Sequence, residues 1–257
     1  MSTMALIFSL IFVLIPIVLS KTLNLGLEKD ATIAVIRSII QLLVVGYILK
    51  FVFDSESIIY IFLMVAVMII AATLNARKKG AAIKGITWKI AVTLIFIEVL
   101  TQSILLGFNI TPHTAQYIIP ISGMMIGNGM VLAILFLNRF IAETESHQDQ
   151  TELILSLGGT PKQAVHTQLM TSIKASMIPT IESQKTIGLV QLPGMMSGQI
   201  IAGASPVQAV QFQLLVLFLL LTTASITSIM LGFLSYPTMF NKRMQVVMHG
   251  DGSSASK

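Results

Sequence analysis

Seven long apolar runs, separated by short polar stretches, set the pattern of this chain. They cover roughly residues 4–20, 31–51, 58–74, 86–108, 115–137, 176–202 and 207–236. A bilayer core takes about 20 consecutive apolar residues per helix, so the runs predict membrane-spanning helices. The expected fold class is all-α: a polytopic helical membrane protein with about seven transmembrane helices. Five to eight spans fit the same pattern. The fifth run is extended or broken by Gly123, Gly127 and Gly129. Pro193 and Gly194 interrupt the sixth, and only its second half is strongly apolar. The first run has no basic n-region and no Ala-x-Ala cleavage site, so it reads as a span and not a signal peptide. Residues 1–240 are expected to form one transmembrane domain. Residues 241–257 end Gly-Asp-Gly-Ser-Ser-Ala-Ser-Lys and are expected to be a disordered tail.

The polar positions orient the spans. One set of loops carries Lys21 and Lys29, then Arg77, Lys78, Lys79, Lys84 and Lys89, then Arg139, Lys162 and Lys174, then Lys242, Arg243 and Lys257. The opposite loops, around residues 54–57, 109–114 and 203–206, carry no Lys or Arg. Lys50 stands at their border and can snorkel. The basic side faces the cytoplasm by the positive-inside rule, which puts the N-terminus outside and the C-terminus inside. That needs an odd number of spans and favours seven. The outer loops are too short for an extracellular binding domain.

Composition agrees with this reading. Hydrophobic residues make up 54% of the 257 and charged residues 11%. Mean hydropathy is +0.86. A soluble domain carries about 25% charged residues. The net charge of +5 does not point to nucleic acid, because the basic residues lie in loops between apolar runs. With no cysteine, disulfides and thiolate metal sites are excluded.

The longest inner loop, about residues 140–172, holds a helix-competent segment from Glu152 to Leu157. Leu153 and Leu157 share a face at i,i+4. Gly158-Gly159 permits a sharp bend. Thr160 can cap a following helix with Pro161 at its first position. That second short helix is expected from Lys162 to Met170. Helix, turn and helix on the cytoplasmic face suit docking onto a soluble motor, and equally an ordinary hairpin lying on the membrane surface. No Gly-x-x-x-x-Gly-Lys-Ser/Thr motif occurs, so ATP-driven transport would need the nucleotide on another polypeptide.

Charges inside spans cost a few kcal/mol or more and usually face a partner or a cavity. Arg37 and Gln41 share one helix face, as do Glu98 and Gln102. Arg37 and Glu98 either pair across helices or both face an aqueous pathway, unless Arg37 only snorkels. Glu182 and Lys185 can form a local pair. If the span begins near Pro179, Glu182 is a candidate cation ligand or gate. If the preceding helix extends to Lys185, the pair is an interfacial salt bridge. Residues 192–198, with Pro193, Gly194, Met195 and Met196, read as a broken helix that either lines the pathway or is a packing kink. Thioethers favour soft Cu(I), whereas carboxylates and imidazoles suit iron. Glu98 and Glu182 are the metal-ligand candidates. His113, His147, His166 and His249 show no paired spacing, and no catalytic constellation is assembled. Gly123, Gly127 and Gly129 with Asn128 allow close helix approach, within the subunit or at a dimer interface.

The run Glu152…Leu157-Gly158-Gly159-Thr160-Pro161…Ala164 resembles the coupling loop by which ABC-transporter permeases grip their ATPase. Gly159 stands where that resemblance leads one to expect Ala. Further stretches resemble one permease family. They are Leu27-Glu28-Lys29-Asp30, Arg37-Ser38-Ile39-Ile40-Gln41-Leu42, Val45-Gly46-Tyr47-Ile48-Leu49-Lys50 and Pro120-Ile121-Ser122-Gly123-Met124-Met125-Ile126-Gly127-Asn128. The longest is Ile178-Pro179-Thr180-Ile181-Glu182-Ser183-Gln184-Lys185-Thr186-Ile187-Gly188-Leu189-Val190, which continues through Leu192-Pro193-Gly194-Met195-Met196-Ser197-Gly198. Together they resemble the FetB-like membrane subunits of iron-export ABC transporters, a family that includes plant permeases linked to aluminium tolerance.

The resemblance covers residues 25–240. It implies a homodimeric permease in the cell (inner) membrane, working with a separate cytoplasmic ABC ATPase that binds ATP and Mg. It implies export of iron or another metal, with no cofactor bound by this chain and no enzymatic activity of its own. Glu152, Leu157, Gly158, Gly159, Thr160, Pro161 and Ala164 are then the ATPase-docking residues. Arg37, Gln41, Glu98, Gln102, Glu182, Lys185, Pro193, Gly194, Met195 and Met196 are the pathway or gate candidates. The alternatives are a proton-coupled secondary transporter, with Glu98 or Glu182 carrying the proton, and an ABC permease for an organic substrate.

Overall fold

A computed structural model describes residue 8, residues 11–55 and 57–241, and residue 245. Among them the fold is helical, and Ile187 and Gln191 form an isolated β-bridge. The chain divides into two compact units, residues 1–57 and residues 58–257.

The first unit pairs α1 (Ile11–Thr22) with α2 (Glu28–Ser55). The turn between them reverses through Asn24 and Gly26, at φ 53° and 71°. Buried Ser20 closes it: its carbonyl accepts from Leu25 N–H and its hydroxyl from Leu27 N–H at 3.1 Å. Glu28 and Asp30 sit in the first turn of α2, where carboxylates favour the positive end of the helix dipole.

The second unit begins with α3 (Ile58–Ala76), which tightens into a 3₁₀ turn at Arg77–Gly80. Then come α4 (Ile86–Gly107) and the long α5 (Ala115–Ser146). Two short helices follow, α6 (Gln148–Ser156) and α7 (Pro161–Ala164). The chain returns through α8 (His166–Thr186), α9 (Gly194–Ile201) and α10 (Pro206–Ser235), and closes with a 3₁₀ turn at Tyr236–Met239. Helix α5 is the hub and packs against α3, α4, α8 and α10. Phe136 and Phe140 stack on it at 5.3 Å, inside a core with Ile90, Leu94, Leu169 and Leu231. Close approach depends on Gly129. A Cβ there would lie 2.8 Å from Leu94 Cδ2 of α4 and 3.4 Å from Thr227 Oγ1 of α10. Of the three glycines picked out on this helix, Gly127 faces open space and Gly123 makes only ordinary contact with Met68. The small residue that matters therefore packs helices within one subunit.

Five described helices are long and apolar enough to cross a membrane: Glu28–Ser55, Ile58–Gly80, Ile86–Gly107, Ala115–Ser146 and Pro206–Met239. They match five of the expected spans, and the glycines do not break the fifth. The described part of the first expected span is the 12-residue α1; residues 1–7, 9 and 10 lie outside the described residues. Most of the expected tail lies outside them too.

The sixth expected span, residues 176–202, departs from a single helix. Helix α8 stops at Thr186, the chain turns, and α9 starts at Gly194. The turn is locked by Gly188 at φ 87°, by its N–H donating to Gln191 O at 3.0 Å, and by Val190 N–H donating to Thr186 O at 3.0 Å. The break therefore precedes Pro193 instead of falling on it. Extended Pro193 is the N-cap of α9, and its carbonyl accepts from Ser197 N–H.

Candidate functional site

The inner-loop segment folds as two capped helices with a fixed turn. Helix α6 ends in a paired closure: Gly158 N–H donates to Leu155 O at 3.0 Å and Gly159 N–H to Ile154 O at 2.9 Å. This is the Schellman geometry, which needs a left-handed residue just past the helix. Gly158 supplies it at φ 84°. Thr160 then caps α7 reciprocally. Its hydroxyl accepts from Gln163 N–H, and Gln163 Oε1 accepts from Thr160 N–H at 2.9 Å. Pro161 occupies the first turn, where its missing N–H is harmless.

The expected second helix, Lys162 to Met170, is corrected. It stops after one turn at Ala164, and Val165 at φ −107°, ψ 11° separates it from α8. The reason is packing, because Ala164 and Val165 are buried at that corner. Helix α7 packs on the C-terminal 3₁₀ turn, and Lys162 Nζ lies 5.8 Å from the Phe233 ring centroid. Buried Thr151 accepts from Gln168 Nε2 of α8 at 3.3 Å. The loop is thus pinned from within, while Glu152, Leu153, Leu157 and Gly158 stay exposed. Exposed Leu153 (59%) and Leu157 (79%) beside Glu152 make an outward apolar face.

A second polar group lies within α4 and α5. Glu98 Oε1 accepts from Ser122 Oγ at 2.5 Å and from Gln102 Nε2 at 3.0 Å. Gln102 Nε2 also lies 2.9 Å from Ser122 Oγ. Glu98 Oε2 and Gln102 Oε1 are buried without a partner. The expected Glu98–Gln102 face is therefore real, but what completes it is Ser122. A serine within an apolar helix carries no sequence signal of its own. Arg37 and Gln41 share one face of α2 in the first unit and line a groove there with Ile33, Ile36 and Ile40.

Helix α8 places the remaining charged candidates. Lys185 Nζ donates to Glu182 Oε1 at 2.6 Å in its last turn, and both side chains are about 60% exposed (62% and 59%). The same helix runs back without a break to His166. Between the two in sequence, Gln184 Nε2 donates to Leu217 O of α10 at 2.8 Å. Leu217 is 11 residues into the 30-residue α10, about 17 Å from its start and near its middle at 1.5 Å per residue. Lengthwise, α8 therefore ends near the middle of the neighbouring span. Met195 and Met196 are partly buried in α9, past the turn.

Among the described residues, no group of three or more His, Asp or Glu side chains converges. Glu98 meets neutral partners and Glu182 meets Lys185. His147 is tied to Glu143, and His113 to Leu106 O. Lys89, counted above among the loop cations, is 1% exposed within α4, and its ammonium donates to Thr238 Oγ1 of the C-terminal turn.

The chain matches the family described as "Uncharacterised protein family (UPF0014)" over residues 3–240. It is 49% identical over 246 residues to "UPF0014 membrane protein YjkA" of Bacillus subtilis (strain 168), covering 96% of this chain and 98% of that one. It is 39% identical over 244 residues to "Probable iron export permease protein FetB" of Escherichia coli (strain K12), covering 95% and 94%. It is 32% identical over 241 residues to "Protein ALUMINUM SENSITIVE 3" of Arabidopsis thaliana, covering 94% and 88%. No solved structure gives a significant match. These matches bear out the resemblance read from residues 25–240, and the chain belongs to the UPF0014 family of multi-pass membrane proteins.

Proposed function

We propose that this chain is the membrane permease subunit of an ABC exporter that moves iron or another metal out of the cell. It works as a homodimer in the cell membrane, N-terminus outside and C-terminus inside. A separate cytoplasmic ATPase binds ATP and Mg and docks on α6 and α7. The observation that carries this reading is the doubly capped, internally pinned loop that leaves Glu152, Leu153 and Leu157 exposed. The printed name of the 39%-identical relative supports the metal-export part.

Closure of the motor displaces the docking loop. Thr151–Gln168 hands the displacement to α8, whose far end carries Glu182 and Lys185 near mid-span. Charged side chains at that depth need water or a protein partner and not lipid. The exposed end of α8, the turn to Pro193, and Gly194 to Met196 therefore line or gate the pathway. Arg37, Gln41, Glu98 and Gln102 are the other candidates.

The test is iron retained by iron-loaded cells with and without this chain, co-expressing the candidate ATPase or a hydrolysis-dead version. Lower iron only with the active motor supports the reading. Unchanged iron in cells with confirmed membrane insertion and assembly sinks it for iron and moves the search to other metals or organic substrates. The orphaned Glu98 Oε2 favours one rival, a secondary transporter in which Glu98 carries a proton. That rival predicts transport that needs no ATPase and stops when the proton gradient is collapsed.

A further inference from the structure

Beside the turn that joins α3 to α4 lies an open cavity of about 390 Å³. Both helices are long and apolar enough to cross a membrane, so the turn between them meets the bilayer surface. Its backbone is anchored in the core. Ile83 N–H donates to Gly80 O at 2.9 Å, Ile83 and Ile86 are buried, and a Cβ on Gly80 would lie 2.7 Å from Ile86 Cγ1. Arg77, Lys78 and Lys84 line the cavity and are exposed. No acid lines it, and among the described residues none of these three cations has a hydrogen-bond or ion-pair partner. Thr87 adds a hydroxyl. Gly85, the N-cap of α4, brings the positive end of that helix to the same lining with no capping side chain in the way. Trp88 packs over Gly85, where a Cβ would lie 3.1 Å from the indole Nε1.

We propose that this cavity binds the phosphate headgroup of an anionic phospholipid. Clustered Arg and Lys recognise phosphate, and basic clusters at the end of a membrane span attract anionic lipid. What favours a lipid over a free phosphate is the helix face that leads away from the cavity. Trp88, Val92, Ile95, Phe96 and Val99 are all exposed, at the spacing of one face of α4. From Trp88 to Val99 that face runs about 17 Å into the span, at 1.5 Å per residue. One leaflet of a hydrocarbon core about 30 Å thick is about 15 Å deep, so the face matches an acyl chain in length. Trp88 stands at its head, where an amphipathic indole suits the membrane–water interface. Cations at the mouth and an apolar stripe beneath them complement the two ends of a phospholipid. The inference does not depend on the exporter reading, nor on which side of the membrane the turn faces.

Trp88 is the only tryptophan of the chain, so its fluorescence reports on this place alone. Full-length protein in bicelles of neutral phosphatidylcholine is titrated with phosphatidylglycerol carrying bromine on its acyl chains, and quenching of Trp88 is followed. Brominated phosphatidylcholine is the reference. Wild-type protein is expected to reach half-quenching at a mole fraction of the anionic lipid about tenfold below that of the neutral one. Arg77→Gln with Lys78→Gln and Lys84→Gln is expected to abolish that preference. Arg77→Lys with Lys78→Arg and Lys84→Arg keeps the charge and is expected to retain most of it. Lys21→Gln with Lys29→Gln and Lys174→Gln removes as much charge elsewhere and is expected to leave the preference within about twofold. Equal quenching of the wild type by the two lipids overturns the proposal. So does a preference that survives the first triple change, or one lost equally in the last. Excess inorganic phosphate at matched ionic strength tests the other source. A preference that persists in phosphate supports the lipid. A preference lost in phosphate, with Trp88 emission shifting in phosphatidylcholine alone, assigns the cavity to a free anion and overturns the lipid.

Discussion

Replacing Gly159 by Ala tests whether the turn between α6 and α7 is as tightly built as its hydrogen bonds imply. The resemblance to coupling loops leads one to expect Ala at this place, so the change looks conservative. In this structure it is not. A Cβ on Gly159 would lie 2.5 Å from Ile154 Cγ2 and 2.8 Å from Ile154 O. The side-chain clash can be relieved by rotating Ile154. The clash with the carbonyl cannot, because that oxygen already accepts the Gly159 N–H at 2.9 Å and so fixes the turn. Overpacking of this kind costs about 1–3 kcal/mol. Borne by local opening of the turn, that is about 5–150-fold faster amide exchange in residues 148–165. Hydrogen-exchange mass spectrometry on the full-length protein in nanodiscs reads it directly. Adding Ile154→Ala removes the closer contact and leaves the carbonyl one, so the double variant should recover part of the protection and not all. Exchange in Gly159→Ala that is unchanged or slower would refute the argument, and the loop would have to be softer than its caps imply.

Two further changes probe the neighbouring contacts. Thr160→Ala removes the hydroxyl that caps α7 and should cost about 0.5–2 kcal/mol locally, seen as faster exchange at Gln163 with α6 still protected. Lys89→Met keeps the buried apolar stem but loses the bond to Thr238. Loss of a charge-assisted bond and relief of a buried charge work against each other, so the thermal midpoint should move little while exchange in residues 232–241 rises.

Apolar run length located five of the spans closely, because a helix in lipid must satisfy its own backbone and can do so only over an unbroken stretch. The same rule misread residues 176–202. A turn closed by Gly188, Gln191 and Thr186 inside an apolar neighbourhood looks like more of the same helix until its hydrogen bonds are known. The turn between α6 and α7 was legible from Gly158 to Pro161, since left-handed glycine, N-cap threonine and N1 proline each have a local cause. Its second helix was read too long because burial of Ala164 and Val165 is a tertiary fact. Lys89 was placed with the surface cations on charge alone, and only the fold buries it against Thr238. Ser122 and the amide of Gln184 were equally hidden, because their roles come from residues 24 and 33 positions away.

The continuity of α8 gives these pieces a common mechanical logic. Gln168 near its start holds Thr151 of α6, and Glu182 stands 14 residues on, about 21 Å along one helix. Pro179 falls in that interval, where it removes one backbone donor and makes the last two turns the softest part of the rod. Between the two ends, Ser176 Oγ meets Ser228 Oγ at 2.8 Å, and Leu169 and Ile173 pack in the core. A push on α6 therefore moves the first part of α8 as a packed body against α10. Beyond Pro179 the helix exposes Glu182, Ser183 and Lys185, while Gln184 still holds it to Leu217 O of α10. A packed first part and a proline-interrupted polar end would suit the proposed transfer of motion from α6 toward the middle of the span.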